Sequence, residues 1–186
     1  MSDQKNMTDL NCRSTIYITP PRIANAVRAY FPLGVIPFDP ATEPNNPLKA
    51  INFCTGPGSN DGSLGDGLTV SWSERGGVFV NPPYGKGMKS WCEKIHEETV
   101  AGAEILALLP CGARFGTRYW QDHIFNSGLD VTLFVRGRVQ FLRPDGSGTQ
   151  GSNPYDSQLL GFGVDIERFT KCFKHLGKIV EMRVIM

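Results

Sequence analysis

The tetrapeptide Asn81-Pro82-Pro83-Tyr84 follows the apolar run Val78-Phe79-Val80 and precedes Gly85 and Gly87. A buried strand is expected to end there on a rigid polar turn. Two consecutive prolines fix φ near about −65° and remove two backbone donors, so their carbonyls are left as acceptors. An amide side chain, a lone carbonyl and a flat ring then share one turn. Together they suit the task of holding a planar exocyclic amino group still. The Asn81 side-chain oxygen and the Pro82 carbonyl each accept one N–H, which draws the nitrogen toward tetrahedral geometry and aims its lone pair. Tyr84 would stack on the ring that bears the amino group, and Pro83 would fix the angle between amide and ring. The rate gain of such a site comes from positioning two bound molecules and from fixed dipoles at the reacting nitrogen. Methyl transfer to a planar nitrogen fits these groups. The competing reading is an ordinary Asn-Pro turn. The adjacent tyrosine and the preceding apolar run weigh against it.

Such a turn needs a scaffold, and the chain reads as alternating helices and strands. Thr19-Pro20-Pro21 has the form of a helix start, with Thr19 as a capping residue or a site residue. Ile23, Ala26, Val27, Tyr30 and Phe31 follow at helical spacing, as do Met88, Trp91, Cys92 and Ile95. Strands are expected over 35–38, 78–80, 104–109, 131–135, 139–142, 158–164 and 179–185. Helices are expected over 115–125 and from Asp165, as an N-cap, through His175. Residues 41–66 are too rich in Pro, Asn and Gly to assign. The fold class is α/β, one Rossmann-like domain over 16–186 with a mostly parallel sheet and helices on both faces, preceded by a loose tail over 1–15. Ligands in such sheets bind at the carboxyl ends of strands. Asp39 and Asn81 both fall at such ends, so one shared site is expected.

With 186 residues and a net charge of +1, the chain makes one domain with a real core, and any nucleic-acid contact must use a local basic patch. Its five cysteines are odd in number and form no Cys-x-x-Cys pair, which points away from a disulfide framework and from a zinc site. No metal is expected. No apolar run is long enough for a membrane span, and a reducing cytoplasm is the expected compartment. Nothing in the sequence fixes an oligomeric state, and a monomer is the simpler expectation.

Five segments in order carry a family resemblance: Thr19-Pro20, Phe38-Asp39-Pro40-Ala41, Asp66-Gly67-Leu68 with Trp72, Asn81-Pro82-Pro83-Tyr84-Gly85, and Arg136-Gly137-Arg138 followed by Phe141. Across roughly residues 17–165 the chain resembles the phage-type DNA N6-adenine methyltransferases, the Dam-like phage family. The resemblance implies S-adenosylmethionine as cofactor and N6 of an adenine flipped from double-stranded DNA as acceptor, in a bacterial host cytoplasm. It also implies that Thr19, Pro20, Asp39 and Pro40 lie near the methionine moiety. Asp66 would accept from the cofactor adenine, beside Gly67, while Leu68 packs on its ring. A carboxylate such as Asp39 is the natural partner of the methionine ammonium. The sequence lacks the Phe-x-Gly-x-Gly loop of many other methyltransferases, because Asp39-Pro40-Ala41-Thr42 holds no glycine. Asn45, Asn52 and Asp61 are equal candidates for the ribose.

Arg114, Arg118, Arg136, Arg138 and Arg143 crowd the second half, interleaved with Phe115, Tyr119, Trp120 and Phe141. That mixture suits phosphate contacts around an extruded base and marks 111–156 as a DNA-facing segment, with Trp120 expected in the core. The polar loop 143–155 would add base reading through Gln150, Ser152 or Asn153. Two other acceptors suit Asn-Pro-Pro-Tyr equally well, the guanine amino group in RNA and the glutamine amide in protein. A binding module of the same fold without cofactor is the remaining alternative.

Overall fold

The computed structural model describes residues 18–58, 61–112, 114–143, 148–149 and 155–183. The tail 1–15 and the proposed readers Gln150, Ser152 and Asn153 lie outside them.

Pro21 opens the first helix, α1 (Pro21–Tyr30), whose missing donor costs nothing in a first turn. Ile23, Ala24, Ala26, Val27 and Tyr30 form its buried stripe. The apolar run that follows narrows to a two-residue strand, β1 (Phe38–Asp39), where the sequence pattern gives 35–38. Next come β2 (Asn52–Phe53), β3 (Val78–Val80) and α2 (Met88–Val100), which buries Met88, Trp91, Cys92 and Ile95 as their spacing requires. The chain continues through β4 (Ile105–Pro110), β5 (Leu129–Val135), β6 (Ser157–Phe162), α3 (Ile166–Phe173) and β7 (Gly177–Glu181). Asp165 caps α3 as expected, its side chain accepting from the Arg168 amide.

The seven strands form one sheet in the order β2-β1-β3-β4-β6-β5-β7. The first four run parallel. Beyond β4 every ladder is antiparallel: β4 with β6, β6 with β5, and β5 with β7. The sheet is therefore partly parallel, which corrects the expectation of a mostly parallel one. Its second half is built by β6 returning between β4 and β5, so β5 still points the same way as β1, β3 and β4.

Both faces are covered. A Cβ at Gly161 of β6 would meet Phe169 of α3, whereas neighbouring Leu160 lines an apolar cavity with Trp120 and Phe125. Successive strand residues point to opposite faces, so α3 and the 120–125 segment lie on opposite sides. α1 packs with α3, and α2 packs with the 120–124 turn.

One further expectation is met only in part and another fails. Of the helix expected over 115–125, the first residues are turns, and a helical run starts at Arg118, passes through a π-helical turn at Trp120–Ile124 and closes in a 3-10 turn at Phe125–Ser127. Phe115, Trp120 and Ile124 line one apolar cavity. The strand expected over 139–142 is absent. Val139 and Phe141 are buried around an exposed Gln140, but only Leu142 pairs, with Ile18 and with Thr149.

Candidate active site

β1 is bordered by β2 on one side and β3 on the other, so chain order reverses between β1 and β3. At such a switch point the loops leaving two adjacent parallel strands diverge and open a crevice. Asp39 ends β1 and Asn81 follows β3 at that crevice. A cleft there is lined by Thr19, Asp39, Asn81, Pro82 and Pro83, with Pro47 and Leu48 along its wall.

Thr19 is buried and does not cap α1; Pro20 holds the cap position, and no side chain bonds there. The Thr19 hydroxyl instead accepts a hydrogen bond of 3.2 Å from Asn81 Nδ2. The capping role open to Thr19 in the sequence is thereby excluded. With Nδ2 turned to Thr19, the amide oxygen takes the other direction. Thr19 is itself held by the preceding residue, since Ile18 and Leu142 exchange backbone hydrogen bonds of 3.3 and 3.0 Å. The 139–142 segment thus returns from β5 to brace the site.

Asp39 is 3% exposed, and burial pushes its carboxyl up to about 7. The Ala41 amide, donating to Oδ1 at 3.1 Å, offsets part of that rise, and nearby Glu43 adds to it. Among the described residues no lysine or arginine forms an ion pair with it. A buried carboxylate without a cation is costly unless a positive group arrives from outside.

Asp66-Gly67-Leu68 lies against this turn. A Cβ on Gly67 would fall 1.9 Å from the Pro40 carbonyl oxygen, so only glycine lets the two segments touch. The Gly67 carbonyl accepts from Trp72 Nε1 at 2.8 Å. Glu98 Oε2 in turn accepts from the Trp72 and Ser73 amides at 2.8 and 3.1 Å, while Glu98 Oε1 pairs with the Lys94 ammonium at 2.6 Å. α2 thereby anchors the loop. Asp66 Oδ1 accepts from the Leu68 amide at 3.0 Å, which tightens the turn. Gly67→Ala is expected to lower stability by about 2–3 kcal/mol through overpacking, read as a drop in denaturant midpoint at unchanged slope. An unchanged midpoint would show that the loop does not need this close approach.

Tyr84 is more enclosed than a stacking ring requires. It is 7% exposed, its hydroxyl donates to the Leu108 carbonyl at 3.5 Å, and it stands edge-on to Phe141 at 5.9 Å.

The arginines fall on the same edge of the sheet as Asn81. Arg114 and Arg118 follow β4, and Arg136, Arg138 and Arg143 follow β5, at the carboxyl ends of strands parallel in sense to β3. All but Arg114 are exposed. Arg114 Nη1 donates to the Tyr119 hydroxyl at 3.0 Å, and its guanidinium lies 5.8 Å from the Tyr155 ring centre. Arg138 approaches Asp156 at 3.9 Å, a loose surface pair. Trp120 is fully buried, as expected.

Of the ribose candidates, Asn45 lines an adjoining cavity with Arg28, Asn52 Nδ2 reaches the Pro37 carbonyl at 3.5 Å, and Asp61 accepts from Thr55. None lines the cleft of Asp39 and Asn81. Sequence reasoning missed Pro47 and Leu48. The signal was the Asn45-Asn46 pair between prolines, whose positive φ values of 78° and 44° mark a left-handed turn. Among the described residues no cluster of three or more metal-ligating side chains occurs, and no helix is long and apolar enough to cross a membrane.

The cleft at the strand crossover thus joins an amide bonded to a buried threonine with a buried carboxyl. The family model described as DNA N-6-adenine-methyltransferase (Dam) matches residues 8–170, and the chain belongs to that family. No curated protein gives a significant match. The chain is accordingly an enzyme that transfers a methyl group from S-adenosylmethionine to N6 of adenine in DNA.

Proposed function

We propose that Asn81 and Pro82 hold the adenine amino group and that Asp39 holds the cofactor ammonium across the same cleft, within a Rossmann-like domain spanning 16–186. The observation that carries this reading is the Asn81–Thr19 hydrogen bond beside the buried Asp39, because it joins three distant segments of chain in one cleft. S-adenosylmethionine supplies the methyl group, on a sulfonium that leaves as a neutral thioether. Its ammonium suits Asp39, a buried carboxylate that pairs with no lysine or arginine among the described residues. Thr19 and Pro20 border the methionine end with Pro40. Asp66 accepts from the adenine of the cofactor, Gly67 keeps that loop flush with Pro40, and Leu68 covers the ring.

The acceptor adenine must leave the duplex to reach a cleft recessed at a strand end. Asn81 Oδ1 and the Pro82 carbonyl then accept its two N–H groups, with Pro83 setting the approach and Tyr84 at the rim. The nitrogen lone pair is freed from the ring as the group tilts. Arg114, Arg118, Arg136, Arg138 and Arg143, in the DNA-facing segment 111–156, hold phosphates beside the extruded base. The enzyme acts in the cytoplasm, where its substrate lies.

Incubation with radiolabelled cofactor and separate DNA, RNA and protein acceptors tests this assignment. Label in N6-methyladenine of DNA alone is expected. Label in RNA guanine or in protein glutamine would overturn it.

A further inference from the structure

The family match stops at residue 170, yet the fold continues through the end of α3 into β7. That extension carries a basic excess. Over residues 171–181 there are three lysines and one histidine against one acidic residue, Glu181. Lys174, His175 and Lys178 are all exposed. The pairing of β7 with β5 puts them where they matter, because Gly177 stands opposite Val135 and Lys178 opposite Phe134. The Arg136 amide donates to the Leu176 carbonyl at 2.8 Å, which ties the α3–β7 junction to the start of the Arg136-Gly137-Arg138 segment. A Cβ at Gly177 would lie 2.0 Å from the Phe134 carbonyl oxygen, so the junction is pressed against β5.

We propose that Lys174, His175 and Lys178 form a second phosphate-contact surface for duplex DNA, continuous with Arg136 and Arg138. It rests on the reading that the carboxyl edge of the sheet faces DNA. β7 is four strand positions from β3 in the sheet. At about 4.8 Å per position the new surface lies about 19 Å from Asn81, the reach of about six phosphates along one strand. It therefore grips the duplex away from the extruded base, where sequence is not read. A lysine on an edge strand also discourages edge-to-edge pairing, which alone would explain Lys178. It does not explain Lys174 and His175, which precede the strand.

The test measures binding of the full chain, with cofactor present, to a short fluorescent duplex of mixed sequence over a range of salt. The K174A/K178A double variant is expected to bind about tenfold more weakly near 0.1 M salt, with the slope of log K against log salt reduced by about 2. The K174R/K178R variant should restore both, and cofactor affinity should not move in either. If K174A/K178A retains wild-type affinity and slope while R136A/R138A loses both, the second surface does not exist but the DNA-facing edge stands. If neither pair changes binding, the edge itself has been assigned to the wrong ligand.

Discussion

Asn81→Ala is expected to lower the single-turnover methylation rate by about 10²–10³-fold, the effect of removing one fixed dipole from a transition state. The group it removes acts on the nitrogen as charge develops there, so the loss belongs in the chemical step. Asn81 is not the proposed ammonium contact, which is Asp39, so cofactor affinity should stay within about twofold. Thr19→Val keeps the shape but removes the acceptor for Asn81 Nδ2. It should lower the same rate by about tenfold, the worth of one buried hydrogen bond. In the double variant the threonine effect should vanish, because Thr19 acts through Asn81. Wild-type turnover in Asn81→Ala would remove the amide from the mechanism, and full additivity of the two changes would show that Thr19 does not act through it.

The parts of this site differ in how far they could be read from sequence, and the difference has a physical basis. The Asn81 turn was legible because an apolar run bounded by two prolines can hardly be anything but a buried strand ending on a rigid corner. Asp39 was legible for the same reason, although β1 is shorter than its apolar run. β2 was not. Its two residues carry no periodicity, and the strand exists because the Ile51, Asn52 and Cys54 amides donate to Ile36, Pro37 and Asp39. That is a tertiary effect no local pattern encodes. The alternation of Val139, Gln140 and Phe141 was real, but alternation reports burial and not the presence of a partner strand. The antiparallel half of the sheet was hidden for a related reason, since β6 reads alike whichever way its neighbours run. Thr19 shows what structure adds. A threonine before two prolines suits a cap as well as a site, and only the fold brings Asn81 within 3.2 Å of it.

Asp39→Asn should push stability and cofactor binding in opposite directions. Burial raises the Asp39 carboxyl from an unfolded value of 3.8 to about 7. A raised folded value means the native state favours the protonated acid. The group's contribution to stability is therefore full below about pH 4 and is lost as pH climbs through about 7. Above that, the unliganded enzyme carries a buried charge that no lysine or arginine among the described residues pairs with. Asn cannot ionise, so Asp39→Asn should raise the melting temperature of the unliganded protein at pH 8, by an amount worth a few kcal/mol at most. At pH 5 the gain should be clearly smaller, because the effect builds up between about pH 4 and 7. Cofactor affinity should fall about 10²-fold or more, because the ammonium loses its buried partner. In the wild type, affinity should drop about tenfold per pH unit below about 7, where a proton must leave Asp39 first. It should decline again above about 8, where an α-amino group loses its charge. The optimum therefore lies in a narrow window between the two. Thermal melts and calorimetric titrations at pH 5, 7 and 8 read both trends. A variant less stable than wild type at pH 8 would mean that Asp39 is a structural carboxylate with a partner of its own, and that the methionine ammonium is held elsewhere.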